Sequence, residues 1–313
     1  MRKYTLIVFI TIIAIALLVI SCIKIFQKPE EEKEIKKINS LIMLIEFEKI
    51  EGILWWEKEL DNRGLNALVS IQENVLKEYP EVFKRLAEKG YEIAGSYAEA
   101  PFWDMLYEQQ YQFMKETKDS VESIIGKPMR VFGSRYFAYD ENTLKAADAL
   151  GIEYVLARGT KDVEAIVYSP TEYKTKIISV SNITFEDMGS GSLCDYSLWA
   201  RGATVEDFGK VVKESINKEP TNMILVSHAY LGGTRIAWWR VYENALKSDK
   251  VSWKGFNNWI LNLVPLVMKN AEIPINKEVK YVAPKPAVPI EDLELIPDLD
   301  KLKTDETFCP ACF

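Results

Sequence analysis

The chain has 313 residues, 48% apolar, 27% charged and 12% aromatic, with a formal net charge of -7 and a pI near 5.2. This is ordinary usage for a globular protein, and the central part of the chain is long enough to bury a full core. The acidic balance supplies no basic stripe of the kind that tracks phosphates, which argues against a nucleic-acid partner.

At the N-terminus, Arg2 and Lys3 precede an apolar run from Leu6 to Ile20 broken only by Thr11, followed by Ser21-Cys22. The run is short for a spanning helix and suits the apolar region of an export signal, so residues 1–22 read as a signal peptide or an N-terminal membrane anchor. Val19-Ile20-Ser21-Cys22 resembles a lipobox, in which Cys22 is lipidated after cleavage; the alternative is an uncleaved anchor continuing through Ile23 and Ile25. Either way the basic end stays inside, so the expected location is the outer face of the cytoplasmic membrane. Residues 23–39 form a charged tether, ending in QKPEEEKEIKKIN, or a short solvated helix.

From Ser40, short β-branched runs alternate with longer segments of helical period, the pattern of a parallel α/β sheet or barrel. Expected strands are Leu41–Phe47, Ala67–Ile71, Glu92–Ala94, Arg130–Phe132, Tyr154–Ala157, Lys176–Val180 and Met223–Ser227. Between them, PEVFKRLAEKG starts at Pro80 with Val82, Phe83, Leu86 and Ala87 on one face and stops at Gly90. A longer helix spans Tyr107 to Ile125, DENTLKAADALG runs to Gly151, and Thr204 with Asp207 begins TVEDFGKVVKESINK as a capping box. The folded domain is placed at 40–270, and 271–313 is a proline-rich acidic tail that leans on the domain or stays mobile. Cys194 is isolated. The terminal Cys309 and Cys312 have C-x-x-C spacing, read as a local disulfide or a metal clip shared between chains.

Chemistry in such barrels sits at the C-terminal strand ends. That rule selects Glu46, Glu48, Glu51, Ser70, Ser96, Glu99, Arg135, Tyr136, Arg158, Ser181, Asn182 and His228, the chain's one histidine. The set is rich in carboxylates and poor in nitrogen ligands.

Four segments in order, NRGLNALVSI, YPEVFKRLAEKGYEIAGS, SVESIIGKPMRVFGSRYFAYDENTLKAADALGIEYVLA and MILVSHAYL, resemble the NodB-homology polysaccharide deacetylases. The resemblance spans about Leu41 to Val264 and implies an α/β fold, a distorted (β/α) barrel of about seven parallel strands. It also implies removal of acetyl groups from glycans with a divalent metal such as zinc, held by an aspartate and two histidines, beside an aspartate base and a histidine acid. Carried over by residue, Phe47 fits the first motif, Glu48 takes the base position and Lys49 a metal-ligand position. Ser96 and Ala100 stand where the two histidine ligands belong. Tyr136 keeps the place of an oxyanion donor with Arg135 beside it, the aspartate-near-tryptophan motif is not evident in VLARGTKDVEA, and His228 matches the acid.

A site needing two histidine ligands and a histidine acid cannot be assembled from one histidine, so no metal site and no cofactor are expected. A carboxylate-only Mg²⁺ or Ca²⁺ site from Glu46, Glu48, Glu51 or Glu99 is the alternative, set against solvated loop acids. The reading is a glycan-binding or degenerate deacetylase-like domain, with His228 and Glu48 as catalytic candidates and Tyr136, Arg135, Glu46, Ser96 and Trp103 as candidate sugar contacts. Trp55-Trp56, Trp199 and Trp238-Trp239 are further stacking platforms or else core. The alternatives are a deacetylase with an atypical site, a glycosidase pairing Glu48 with Glu99 or Asp195 at ~5 to 9 Å, and an acyl hydrolase joining His228 to Ser70, Ser96 or Ser227.

Overall fold

Strand β1 (Ile38–Glu46) is buried at every one of its residues, as expected of a β-branched run covered on both faces of a parallel sheet. Around it a computed structural model describes residues 37–159, 163–184, 190–274 and 283–303. The export segment with Cys22, nearly all of the tether, and Cys309 and Cys312 lie outside the described residues. No helix among the described residues is long and apolar enough to cross a membrane.

The other strands are β2 (Leu68–Gln72), β3 (Glu92–Tyr97), β4 (Val131–Ser134), β5 (Tyr154–Arg158), β6 (Ile166–Pro170), β7 (Lys176–Val180), β8 (Asn182–Thr184), β9 (Ser190–Ser192), β10 (Asn222–His228), β11 (Val251–Trp253) and β12 (Leu266–Met268). The seven strands expected from sequence form one parallel series in the order β10-β1-β2-β3-β4-β5-β7. The sheet curls as a mostly parallel half-barrel. Beyond β7, β6 adds antiparallel and β12 parallel to β6, while β11 pairs with the start of β1.

The ends of the parallel series are drawn together by one segment. Leu193 N–H donates to the Ser181 carbonyl at 2.9 Å, and Val226 N–H donates to the Leu193 carbonyl at 3.0 Å. Ile224 N–H reaches the Ser181 hydroxyl at 2.9 Å, and Cys194 bridges to Val226 in parallel register. Ser181 is therefore a seam residue, and Asn182 beside it turns its Nδ2 to the Ser190 hydroxyl.

The helices are α1 (Glu51–Asp61), α2 (Glu73–Glu78), α3 (Pro80–Glu88), α4 (Tyr107–Ile125), α5 (Glu141–Ala149), α6 (Asp195–Trp199), α7 (Val205–Asn217), α8 (Ala229–Gly232), α9 (Ile236–Leu246) and α10 (Phe256–Leu261). In α3 the four apolar residues expected on one face are the buried ones, and α7 starts with the Thr204–Asp207 capping box. The tryptophan pairs of α1 and α9 are structural. The Trp56 ring lies 4.9 Å from Trp239 and 5.1 Å from Tyr242, and Trp238 stacks on Phe208 at 5.5 Å. Trp55 meets Trp239 edge-on at 5.8 Å. These pairs pack the helices α1, α7 and α9 against one another, so they are core rather than sugar platforms.

Glu46 ends β1 fully buried. Its Oε1 accepts the backbone N–H groups of Phe47, Glu48 and Lys49 at 2.9, 3.0 and 3.2 Å, which fixes the turn leaving the strand. Its Oε2 is buried without a partner. Burial outweighs the three amide bonds and lifts the carboxyl from 4.5 to about 7. A folded-state value above the unfolded one means that the native state holds the extra proton. Stability from this group is therefore full below about pH 4.5 and is lost as pH rises to about 7. At about 1.4 kcal/mol per unit the effect is roughly 3 kcal/mol. We expect Glu46→Gln to match the parent in urea unfolding near pH 4.5 and to exceed it at pH 8. Equal stabilities at both pH values would contradict this account.

Candidate functional site

The C-terminal ends of the parallel strands open into a cleft of about 1020 Å³. Ser70 comes from β2, Ser96 from β3, Arg158 from β5 and His228 from β10, with Phe47, Glu48, Lys49 and Glu51 from the turn after β1. Glu99, Arg135 and Tyr136 follow β3 and β4. Most of the residues selected from strand ends thus meet in one place. Four site candidates do not: Glu46 is buried beneath the floor, Ser181 and Asn182 hold the seam, and Trp103 stands outside the lining. The sequence could place these residues after a strand but could not say which way their side chains face.

His228 is nearly buried, with 9% exposure. Its Nδ1 faces inward, 3.1 Å from the Cys194 Sγ and 3.6 Å from the Asp195 Oδ1. Three rings enclose it, Tyr196 at 4.7 Å and Phe47 and Tyr230 each at 5.7 Å. No hydrogen bond among the described residues involves Nε2, the ring nitrogen left for the cleft side.

Asp195 is completely buried. Its Oδ1 accepts from His228 N–H at 2.9 Å and Tyr196 N–H at 2.6 Å, and its Oδ2 accepts from the Ser227 hydroxyl at 3.0 Å. Gly232 packs directly above, where a Cβ would fall on both Ser227 Oγ and Asp195 Oδ2. Here the LGG turn gains a physical reason, since only a glycine lets α8 close over the carboxylate. With donors on both oxygens and no exposure, Asp195 cannot act as one of a pair of cleft carboxylates. Ser227 is likewise committed, and fully buried, so it is no nucleophile for an acyl hydrolase. An aspartate near a tryptophan, Asp195 and Trp199, stands on α6, outside the Val155–Ala165 segment in which that pairing was not evident.

Cys194, Asp195 and His228 place ligand-type atoms within 4.8 Å of one another, the group of this kind among the described residues. Burial pushes the Cys194 thiol well above its usual range, with the Asp195 charge acting in the same direction. The thiol therefore stays protonated, and the group reads as a hydrogen-bonded joint. The metal position that the family implies lies elsewhere, at the turn after β1 and the end of β3. There Lys49 brings an ammonium group and Ser96 a hydroxyl into the cleft. A cation beside the ion and a weak neutral ligand do not fit a zinc site, and no chemical step is derived through one.

Tyr136 and Phe137 occupy successive left-handed conformations, with φ of 61° and 53°. Two such residues in a row are rare for non-glycine residues and cost about 1 to 3 kcal/mol each. The turn aims Arg135 and Tyr136 at the cleft, where the Arg135 guanidinium lies 5.1 Å from the Tyr136 ring centroid. Glu48 and Glu99 both line the mouth and are exposed.

The rim also uses residues beyond 270. Trp199 Nε1 donates to the Val288 carbonyl and Lys285 N–H to the Ala200 carbonyl, each at 2.8 Å. Arg235 Nη1 reaches the Leu293 carbonyl at 3.0 Å, and Ile296 N–H the Thr234 carbonyl at 2.8 Å. Ile290, Leu295 and Asp300 thereby become part of the cleft wall.

Residues 58–155 match the family model for polysaccharide deacetylase. No curated protein sequence matches the chain. Among solved structures, a chain assigned to the polysaccharide deacetylases of Mycobacterium smegmatis aligns with a TM-score of 0.57 at 12% identity, covering 76% of this chain and 96% of that one. An allantoinase aligns at 0.54 and 13%, covering 72% and 90%. A mutant of a CE4-family pseudoenzyme with restored enzymatic activity aligns at 0.51 and 11%, covering 72% and 68%. At these identities the structural likeness speaks for the fold. Residues 58–155 thus resemble the polysaccharide deacetylases in sequence, and the chain shares its fold with solved structures of that type.

Proposed function

We propose that this is an exported, membrane-attached protein of the cell envelope that binds glycan in the cleft and performs no metal-dependent deacetylation. The observation that carries this reading is the content of the cleft where a metal should sit: Lys49 and Ser96 in place of ligands, with the single histidine turned by its Nδ1 toward Cys194. Export and attachment are supported by the basic, apolar N-terminus, whether it ends in a lipobox-like cleavage at Cys22 or stays as an uncleaved anchor; either form favours the outer membrane face. Loss of activity has a parallel in one structural neighbour described as a pseudoenzyme. A glycan partner suits a cleft lined by Phe47, Tyr136, Tyr196, Trp199 and Tyr230, since apolar ring faces of sugars pack on aromatic side chains.

The other reading is an active glycan hydrolase using carboxylates. It is favoured by Glu48 and Glu99, which both face the mouth and remain free of the buried network that takes Asp195.

Acetate release from chitotetraose and from peptidoglycan tests the main reading directly. The expected result is none, with or without added zinc, and less than stoichiometric zinc in the purified protein. Acetate release matched by bound zinc would overturn it, and reducing-end release lost in Glu48→Gln would favour the hydrolase. For binding, Phe47→Ala should weaken chitotetraose by about three- to tenfold in calorimetry, the loss of one aromatic contact. His228→Ala should leave that affinity within about threefold and lower stability by about 1 kcal/mol, because its ring fills a packed aromatic niche.

A further inference from the structure

Arg158 ends β5 and is 7% exposed, yet it lines the cleft. Its Nη2 donates to the Ser190 carbonyl, and its Nε is buried without a partner. Arg201, just after α6, also lines the cleft. Its Nη2 donates to the same Ser190 carbonyl at 3.1 Å, and its Nη1 reaches the carbonyl and hydroxyl of Ser197, the carbonyl at 2.7 Å. Two guanidinium groups thus share one neutral acceptor. Among the described residues neither forms an ion pair, whereas Arg63, Arg85 and Arg130 each lie within 3.3 Å of a glutamate.

The arrangement is built in rather than incidental. At Gly191, in β9, a Cβ would fall on Ser197 Oγ and on the Arg201 guanidinium, so the hairpin carries a glycine where the arginine head must pass. Burial, and then the neighbouring Arg201 charge, lower Arg158 to about 10, which still leaves it charged at neutral pH. Like charges held together out of water are unfavourable until an anion joins them, and a guanidinium fork matches a carboxylate or a phosphate in two parallel hydrogen bonds.

We propose that Arg158 and Arg201 form an anion subsite in the cleft, selecting glycans whose sugar units carry a carboxylate or a phosphate. The sugar part of this proposal rests on the glycan-binding reading; the anion part stands on the arginine pair alone.

The test uses the full chain in detergent, titrated with chitotetraose as the neutral probe, tetragalacturonate as the carboxylate probe, and glucosamine 6-phosphate and inorganic phosphate as phosphate probes. An anionic probe should bind at least about tenfold more tightly than chitotetraose at about 50 mM salt, with the gap narrowing as salt rises. Arg201→Gln and Arg158→Gln should each remove that preference, read as the ratio of anionic-probe to chitotetraose affinity in the same variant, and Arg201→Lys should keep part of it. Arg201 is half-buried, so its variants carry the test if Arg158→Gln does not fold. Preference for tetragalacturonate over glucosamine 6-phosphate would identify the carboxylate source, and the reverse the phosphate source. Chitotetraose binding with no anion preference would overturn the subsite and leave the glycan reading intact. Anion binding that Arg201→Gln abolishes, without binding of any sugar, would uphold the subsite and remove the glycan reading. Unchanged anion binding in Arg201→Gln would overturn the subsite.

Discussion

The cleft depends on the buried carboxylate of Asp195. It lies where the two ends of the curled sheet meet, and it holds the last residues of β10, the first turn of α6 and, under Gly232, the end of α8. A carboxyl group without exposure is stable only when its oxygens find donors, and here four reach it: the backbone N–H groups of Tyr196 and His228, the Ser227 hydroxyl and the Cys194 thiol. The same bonds set the direction of His228, because its backbone N–H is one of those donors. The cleft's one imidazole is positioned by main-chain geometry as well as by its own side-chain contacts.

Much of the fold was legible in the sequence. Seven β-branched runs stand out because a parallel strand buried on both faces must be apolar along its whole length, and those seven make the parallel series. The short strands β8, β9, β11 and β12 were not legible, since three residues at an edge or in a hairpin leave no periodic trace. The site was legible at the level of address. His228, Ser96, Arg135, Tyr136, Glu48 and Arg158 were selected because they follow strands, and they share the cleft. Glu46 failed the same rule because strand alternation turned it into the floor, and the Trp55-Trp56 and Trp238-Trp239 pairs because helix packing took them into the core. The Asp195 network was missed for another reason. Its parts are close only because Leu193 and Cys194 join the seam beside β10, and sequence separation hides that closure.

The charge pattern of the cleft departs from that of a metal site. Where an ion would require anionic ligands, Lys49 lines the cleft, and the lining also carries two arginines, Arg158 and Arg201, without a carboxylate partner among the described residues. A pocket of this sign repels a divalent cation and attracts an anion. Four carboxylates also face it, Glu48, Glu51, Glu99 and Asp300, and all but Glu51 are exposed, where water screens them.

One wall of the cleft is seated in an unusual way. Segment 283–303 makes its polar contacts largely through its own backbone: the carbonyls of Val288 and Leu293 and the amides of Lys285 and Ile296 form the hydrogen bonds described above, while Ile296 and Leu299 are buried in the core. Leu295 and Asp300 face the cleft and carry none of those bonds. Anchoring and part of the cleft-facing surface thus fall to different side chains and atoms of the same stretch. Such a wall can change its sequence, and with it what the cleft accepts, while the fold that presents it stays the same.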